Sequence, residues 1–216
     1  MKTEIDKIME ILLKNYKVYR KPTIRRTSAQ KNPYKTLITC LLSLRTQDAN
    51  TEKASKSLFA VAETPQEIVK MPIKRLERLI FKSGYYHNKA KSIKHVSKVL
   101  LDEFGGKVPR TKEELLSIKG IGPKTANIVL CFAYGVCVIP VDTHVHRIPN
   151  RLGLVKTKNP EETEVELMKI FPKKYWREIN TTFILFGKDI CLPISPKCSI
   201  CPISKYCKRV GVEKSR

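Results

Sequence analysis

The chain has 216 residues, enough for one large or two small domains with a buried core. Its 42 Lys and Arg against 20 Asp and Glu give a formal net charge of +22, which is unlike a typical metabolic enzyme and favours nucleic acid over an anionic membrane surface as the partner. No apolar run approaches the roughly 20 residues that cross a bilayer, and the N-terminal stretch carries acids in place of a signal-peptide core, so we expect a cytosolic protein. Its seven cysteines are then not expected to form disulfides, and an odd number does not suit a fully paired set.

Hydrophobic spacing predicts helices throughout the chain, because the period of two that a strand requires is nowhere sustained. The first helix lies within residues 1–26 and ends in a basic tail. A second begins at Asn32 and Pro33 and leads into a polar turn at 43–48. The apolar side of the first helix is Ile5, Ile8, Met9, Leu12 and Leu13, and its basic tail is Arg20, Lys21, Arg25 and Arg26.

Proline and glycine mark the ends of the next helices. Thr64 and Pro65 begin a short helix, and Pro72 begins another that Gly84 ends. A longer helix over 88–104 is closed by two consecutive glycines. These elements continue the all-helical pattern.

The stretch IKGIGPKTAN predicts a tight turn between two helices, within a motif that spans about 111–134. Gly120 and Gly122 bracket Ile121, and Pro123 suits the first position of the second helix. Without Cβ atoms the glycines let backbone amides approach a ligand, and the helix adds the positive end of its dipole, a combination that suits a phosphate. An ordinary corner between two helices, packed by Ile121, fits the same residues.

Lys124 lies in the first turn of that second helix, where the helix dipole and desolvation both disfavour an ammonium group. We therefore expect the pKa of Lys124 to be depressed, which would make its amine a nucleophile. Asp142 follows an apolar run that could carry the chain back past this helix. Its carboxylate would stabilise positive charge at a sugar carbon or move a proton through water. The ordinary alternatives are a solvated lysine and an N-cap aspartate.

Three further features follow Asp142 before the chain reaches its last cysteines. Pro149 predicts a kink or a short turn in the helix that begins after Asp142. Asn159 and Pro160 begin another capped helix, and the range 173–186 predicts the last one.

Four cysteines follow this last helix within a 17-residue loop, separated by six, two and five residues. They are Cys191, Cys198, Cys201 and Cys207. Four soft ligands so close in sequence predict a metal site, and spacing alone leaves zinc and iron–sulfur equally suited. The other cysteines, Cys40, Cys131 and Cys137, lie among apolar residues and are predicted to be in the core.

The glycine turn with its lysine, the VDTHVHR segment and the C-x₆-C-x₂-C-x₅-C tail together resemble the endonuclease III family of base-excision-repair DNA glycosylases, in the helix-hairpin-helix superfamily. The resemblance covers nearly the whole chain. It implies two all-α domains, a six-helix domain at 27–136 and a cluster domain built from 1–26 and 137–216, with the active site in the cleft between them. It also implies a [4Fe–4S] cluster on the four cysteines of the loop.

The resemblance further implies a chemistry in which Lys124 is the Schiff-base lysine and Asp142 the catalytic aspartate. A damaged base is flipped out of the duplex, the amine attacks C1′ and displaces the base, and β-elimination then cleaves the strand. The substrates implied are oxidised or ring-damaged pyrimidines in double-stranded DNA, such as thymine glycol, and abasic sites. A monomeric enzyme is expected.

The expected DNA contacts come from the hairpin and from three residues outside it. They are Gly120, Ile121, Gly122, Arg45, Tyr85 and His144. Arg45 is the candidate for filling the hole left by the everted base, where the family often has glutamine, and Tyr85 stands where an intercalating wedge is expected. His144 is expected to face DNA or form a hydrogen bond, in preference to a metal pair with His146.

Two alternatives are consistent with the same motifs. One is a related glycosylase for mismatched thymine or uracil, or for adenine, in which the position of the lysine is typically occupied by a residue that forms no Schiff base. Lys124 argues against it. The other is a non-catalytic protein that keeps the hairpin and the cysteines only to bind DNA, which composition does not exclude.

Overall fold

The structure, a computed structural model, describes residues 3–16 and 32–216. The predicted basic tail of the first helix lies outside the described residues. Within them the chain forms helices and no strand, which confirms the all-α prediction. The α-helices are α1 (Glu4–Tyr16), α2 (Pro33–Ser43), α3 (Asp48–Phe59), α4 (Pro65–Lys70), α5 (Ile73–Ile80), α6 (Tyr86–Phe104), α7 (Lys112–Ser117), α8 (Pro123–Ile128), α9 (Thr143–Leu152), α10 (Pro160–Ile170) and α11 (Lys173–Asp189). A π-helix covers Val129–Ala133, and short 3₁₀ helices cover Cys198–Ile200 and Ser204–Tyr206.

The chain divides into two compact units. The described parts of residues 1–20 together with 137–216 form what we call the terminal unit, and the described part of 21–136 forms the hairpin unit. The terminal unit therefore joins the two ends of the chain. No helix in the described ranges is long and apolar enough to cross a membrane.

Helix α2 is the centre of the hairpin unit. Asn32 caps it, with Oδ1 accepting a hydrogen bond from Lys35 N at 3.0 Å, and Pro33 occupies the first turn. The helix packs against α3, α6, α8 and the π-helix. Its buried apolar residues are Tyr34, Leu37, Ile38, Cys40, Leu41 and Leu42. This burial on nearly every side agrees with the lack of polar surface in its sequence.

Helix α3 was not predicted, because the residues between α2 and α4 show the pattern of a polar turn and no hydrophobic period. The residues that α3 buries are Thr51, Ala54, Ser55 and Leu58, of which only Leu58 is large and apolar. Small and hydroxyl side chains let α3 lie close to α2, and they leave no hydrophobic period to detect.

Helix α1 packs against α11 in the core of the terminal unit and is bonded to it through Asp6. Asp6 accepts a hydrogen bond from Tyr175 Oη at 2.9 Å and pairs with Lys174 Nζ at 2.6 Å. Hydrogen bonds from Lys174, Thr3 and Tyr175 hold the pKa of the Asp6 carboxyl well below its usual range. The N-terminal and C-terminal segments are thus joined through polar contacts as well as through the apolar core.

Helix α9 runs from Thr143 to Leu152 and passes through Pro149, so the short turn considered at that proline is wrong. Proline removes one backbone donor from the helix, the N–H that would bond to Val145 O. The adjoining carbonyl of His146 accepts from Asn150 Nδ2 at 2.8 Å. The next helix, α10, begins as predicted, with Asn159 capping it.

Candidate active site

Two buried isoleucines pack beneath the hairpin turn, on the side that faces the protein interior. Ile118 and Ile121 are buried, and Ile121 N donates to Ile118 O at 3.0 Å. The turn exposes Gly120 and Gly122 on its outer side. Gly120 has φ of +101°, which L side chains rarely adopt, whereas Gly122 has φ of −97° and would accept any residue. Neither glycine would place a Cβ within 4 Å of another protein atom, so packing within the protein does not explain Gly122.

Lys124 lies in the first turn of α8 and is partly buried. Burial raises the pKa of the Cys40 thiol on α2 to about 12, and the positive charge of Lys124 partly opposes this increase. The ammonium is therefore close enough to α2 to interact electrostatically with this thiol. This location suits a lysine that acts on a ligand bound against the protein.

The helix that carries Lys124 widens into a π-helix at Val129–Ala133, a change that the prediction of two helices around the glycine turn did not include. Tyr134 N donates to Val129 O at 3.3 Å, a bond from residue i+5 to residue i. Hydrophobic spacing does not separate the two kinds of helix over so few residues. Such insertions occur frequently at functional sites.

Asp142 is the N-cap of α9. Its Oδ1 accepts from His144 N and Val145 N, both at 2.9 Å, and the residue is 9% exposed. Asn180 Nδ2 donates to Pro140 O at 2.9 Å and fixes the segment that precedes it. The N-cap alternative is therefore correct as local structure. It does not exclude a catalytic role, because capping gives the carboxylate a fixed orientation at a helix N-terminus.

The two histidines of the VDTHVHR segment form hydrogen bonds inside the terminal unit. His144 Nδ1 is 3.2 Å from Arg147 Nη2, and His146 Nδ1 is 2.6 Å from Thr163 Oγ1. A Cβ at position 187 would lie 2.3 Å from His144 Nδ1, so Gly187 is required for this packing. Nothing in the sequence pattern of α11 indicated Gly187. The DNA contact expected of His144 stays a prediction.

Cys191, Cys198, Cys201 and Cys207 line one pocket together with apolar residues of α9 and α11. Burial raises the pKa of the Cys201 thiol to about 11 and also raises that of Cys207. Thiolates here therefore need the compensating charge of a metal centre. In the described part of the chain no three His, Cys, Asp or Glu side chains converge on one metal ion. Four cysteines that line one pocket are the ligand set of a [4Fe–4S] cluster, in which each thiolate binds one iron.

Two of these sulfurs each accept a hydrogen bond from an arginine. Arg151 Nη1 lies 3.4 Å from Cys191 Sγ, and Arg209 N lies 3.3 Å from Cys207 Sγ. Donors of this kind stabilise metal-bound thiolates. Of the remaining cysteines, Cys137 is exposed, so its prediction as a core residue is wrong. It lies in the segment that links the two units, beside the exposed Val136.

Arg45 and Tyr85 lie side by side on the hairpin unit. The Arg45 guanidinium is 5.9 Å from the centre of the Tyr85 ring, and Tyr85 is 63% exposed. Both residues have positive φ, +49° and +58°, although neither is glycine. Strained backbone of this kind concentrates at functional sites. The roles of this pair in DNA binding stay predictions.

Comparisons with known proteins show which family the chain is similar to and which metal centre its cysteines match. Residues 38–173 match the HhH-GPD superfamily of base excision DNA repair proteins, and residues 191–207 match the iron–sulfur binding domain of endonuclease III, which favours iron–sulfur over zinc. The chain is 48% identical over 183 residues to endonuclease III of Thermotoga maritima, which covers 85% of this chain and 86% of that one.

Two solved structures are similar along almost the whole chain. A trapped endonuclease III–DNA covalent intermediate is 36% identical with a TM-score of 0.80 and covers 97% of both chains. A thermostable thymine-DNA glycosylase is 27% identical with a TM-score of 0.82 and covers 95% of both chains.

Proposed function

This chain belongs to the endonuclease III family of base-excision-repair DNA glycosylases and carries its [4Fe–4S] cluster, and on that premise we propose that it is bifunctional. It removes oxidised or ring-damaged pyrimidines from duplex DNA and then cleaves the strand at the resulting site, or at an abasic site, without hydrolysis. The observation that supports this best is Lys124, a partly buried amine in the first turn of α8 beside the glycine turn. We expect the protein to act as a monomer in the cytosol.

The proposed reaction has two covalent stages. The neutral Lys124 amine attacks C1′ of the everted nucleotide, the N-glycosidic bond breaks, and the base leaves with the bonding electrons and takes up a proton. The nitrogen then loses a proton and the C1′–O4′ bond breaks, with O4′ taking up a proton, which opens the sugar ring and leaves a Schiff base at C1′. The Schiff base acidifies C2′, so that loss of a C2′ proton expels the 3′ phosphate by β-elimination. Water then hydrolyses the Schiff base and regenerates the amine.

Asp142 stabilises the positive charge that develops at C1′ during the first stage, or transfers a proton through water. Its cap on α9 fixes the orientation of the carboxylate for either task. The four cysteines of the terminal loop hold the [4Fe–4S] cluster, which when bound supplies a rigid frame for that loop. Basic residues of the same loop, Lys197, Lys205 and Lys208, then contact the phosphate backbone.

A single-turnover panel of duplexes tests this proposal, with one strand carrying thymine glycol, an abasic site, or thymine or uracil opposite guanine. Products are separated with and without alkali. We expect the thymine glycol and abasic strands to be cleaved without alkali. The rival is a monofunctional mismatch glycosylase, which the similarity to a thymine-DNA glycosylase favours. It predicts product from the mismatched duplexes that appears only after alkali, and binding with no product from any duplex would indicate a non-catalytic protein.

The glycine turn provides a matched pair of variants. Gly122→Ala keeps an allowed backbone and meets no protein atom, so we expect the free energy of unfolding to fall by no more than about 1 kcal/mol, the cost of alanine at an N-cap. Binding to duplex DNA should weaken about tenfold, because the added methyl group separates a phosphate from the amides. Gly120→Ala should instead destabilise the protein by about 1–2 kcal/mol, since φ there is +101°. Unchanged DNA affinity in Gly122→Ala would exclude the turn as a phosphate site.

Replacing one cluster cysteine should remove the cofactor. We expect purified wild-type protein to be brown and to contain about four iron atoms per chain. Cys201→Ser should lose visible absorbance and iron and unfold at lower temperature, because metal binding and folding are coupled. Cys137→Ser is the control, since Cys137 is exposed and lies outside the loop. Stoichiometric zinc in a colourless wild-type protein would contradict the assignment.

A further inference from the structure

Lys89, on α6, is a buried lysine that the proposed chemistry does not use. It is 7% exposed, and its ammonium lies within hydrogen-bond distance of four acceptor oxygens, which share its three N–H donors: Leu42 O at 2.7 Å, Leu44 O at 2.6 Å, Thr46 Oγ1 at 2.8 Å and Ser83 Oγ at 2.8 Å. Burial lowers the pKa of Lys89 to about 8, so the ammonium form with three donors still predominates at neutral pH. A buried charge with a complete set of acceptors fixes the segments that supply them.

These acceptors come from the end of α2 and from two loops that are far apart in sequence. We call residues 44–47, between α2 and α3, the first loop, and residues 81–85, between α5 and α6, the second loop. Gly84 N also donates to Thr46 Oγ1 at 3.1 Å. A Cβ at Gly84 would lie 3.0 Å from Arg45 O, tighter than most real Cβ contacts, so a larger residue would push the two loops apart by a few tenths of an ångström. Lys89 is therefore the shared anchor of two loops in direct contact.

Each loop carries one of the exposed residues with positive φ. Arg45 lies between two of the anchored groups, Leu44 O and Thr46 Oγ1, and Tyr85 lies two residues after Ser83. Non-glycine residues persist in the left-handed region only where the surrounding structure determines their conformation. The bonds from Lys89 supply that constraint on both sides of the Arg45–Tyr85 contact.

We propose that Lys89 is a positioning residue for base eversion, whose ammonium holds Arg45 and Tyr85 as one preformed pair that enters the duplex together. Unstacking a base step is costly, and a pair that is already ordered loses less conformational freedom on insertion than two mobile side chains do. This inference rests on the proposed function only for the identity of the lesion, because eversion precedes the chemistry and is measured without it.

The test uses duplex DNA with a non-cleavable tetrahydrofuran abasic site beside 2-aminopurine, whose fluorescence rises when the neighbouring bases unstack. Lys89→Met keeps the length of the side chain and removes the donors. We expect overall duplex affinity within about threefold of wild type and a fluorescence change reduced to a small fraction of the wild-type change. Excision of thymine glycol in single-turnover reactions should slow by about tenfold or more, with a smaller effect on a preformed abasic site.

Lys94→Met is the matched control, because Lys94 is a partly buried lysine of the same helix that donates to carbonyls of Val69 and Met71, outside both loops. Its loss should lower thermal stability and leave the fluorescence change intact. If Lys89→Met does not fold, Ser83→Ala decides the question, since it removes one acceptor and should give an intermediate loss of signal. The proposal would be overturned if Lys94→Met lost as much of the fluorescence change as Lys89→Met does. It would also be overturned if Lys89→Met, or Ser83→Ala where Lys89→Met does not fold, gave the full wild-type fluorescence change.

A double-mutant cycle separates positioning from general destabilisation. In an Arg45→Ala/Tyr85→Ala background, Lys89→Met should slow excision by less than about twofold more, because the residues through which it acts are gone. An undiminished effect of Lys89→Met in that background would also overturn the proposal. If the wild-type protein everts the site in a Lys89-dependent manner yet cleaves no lesion, the proposed function fails and this inference stands.

Discussion

Lys124→Ala is expected to abolish the covalent adduct that borohydride traps on DNA containing thymine glycol or an abasic site, while duplex binding survives. Reduction with borohydride captures only a Schiff base, and alanine supplies no amine to form one. Strand cleavage should fall to the level of a reaction without enzyme. The measurement is denaturing electrophoresis of the trapped complex beside a binding titration of the same protein on the same duplex.

Two further variants distinguish a nucleophilic role of Lys124 from a role of its positive charge alone. Lys124→Arg keeps the positive charge and cannot form a Schiff base under these conditions, so it should bind well and trap nothing. Lys119→Ala removes an exposed lysine from the same hairpin and should still be trapped in full. Full trapping of Lys124→Ala would assign the nucleophile to another amine. Loss of DNA binding together with trapping would instead indicate a lysine that only contacts phosphate.

Asp142→Asn should slow excision of thymine glycol by about 10²–10⁴-fold and leave the fold intact. Asparagine caps helices about as well as aspartate does, so Oδ1 still accepts the hydrogen bonds from His144 N and Val145 N while the negative charge is lost. The substitution thereby separates capping from catalysis. Single-turnover excision and thermal unfolding are measured on the same preparation.

Asp142→Ala completes this comparison. It removes the cap as well as the charge, so it should lose about 1 kcal/mol of stability in addition to activity. If Asp142→Asn is as active as the wild-type protein and only Asp142→Ala is impaired, the carboxylate serves α9 alone. Capping α9 would then be the whole function of Asp142.

Features set by chemistry close in sequence were predictable. Asn32 and Pro33 start α2 as expected, Thr64 with Glu67 forms the capping box of α4, and Gly105 ends α6 in the left-handed conformation. Each depends on side chains and backbone within a few residues of one another. The spacing of the four terminal cysteines belongs to the same class, which is why a short loop was sufficient to predict a metal centre.

Features that depend on distant backbone atoms were missed. The partners of Lys89 lie up to 47 residues away, and two of them are carbonyl oxygens, which every residue possesses. Gly187 is required only by the ring of His144, on another helix. Cys137 was misplaced because apolar neighbours suggested burial, whereas the linking segment exposes it. The partnership of Lys124 with Asp142 and the DNA contacts stay predictions.

Peptide mapping of the borohydride-trapped complex tests the central claim most directly. Wild-type protein is trapped on a duplex with one abasic site, the DNA and protein are digested, and mass spectrometry locates the lysine that carries the reduced sugar. The proposed reaction predicts that modification at Lys124 and at no other amine. A reduced sugar on the N-terminal amine or on a different lysine, with Lys124 unmodified, would contradict it.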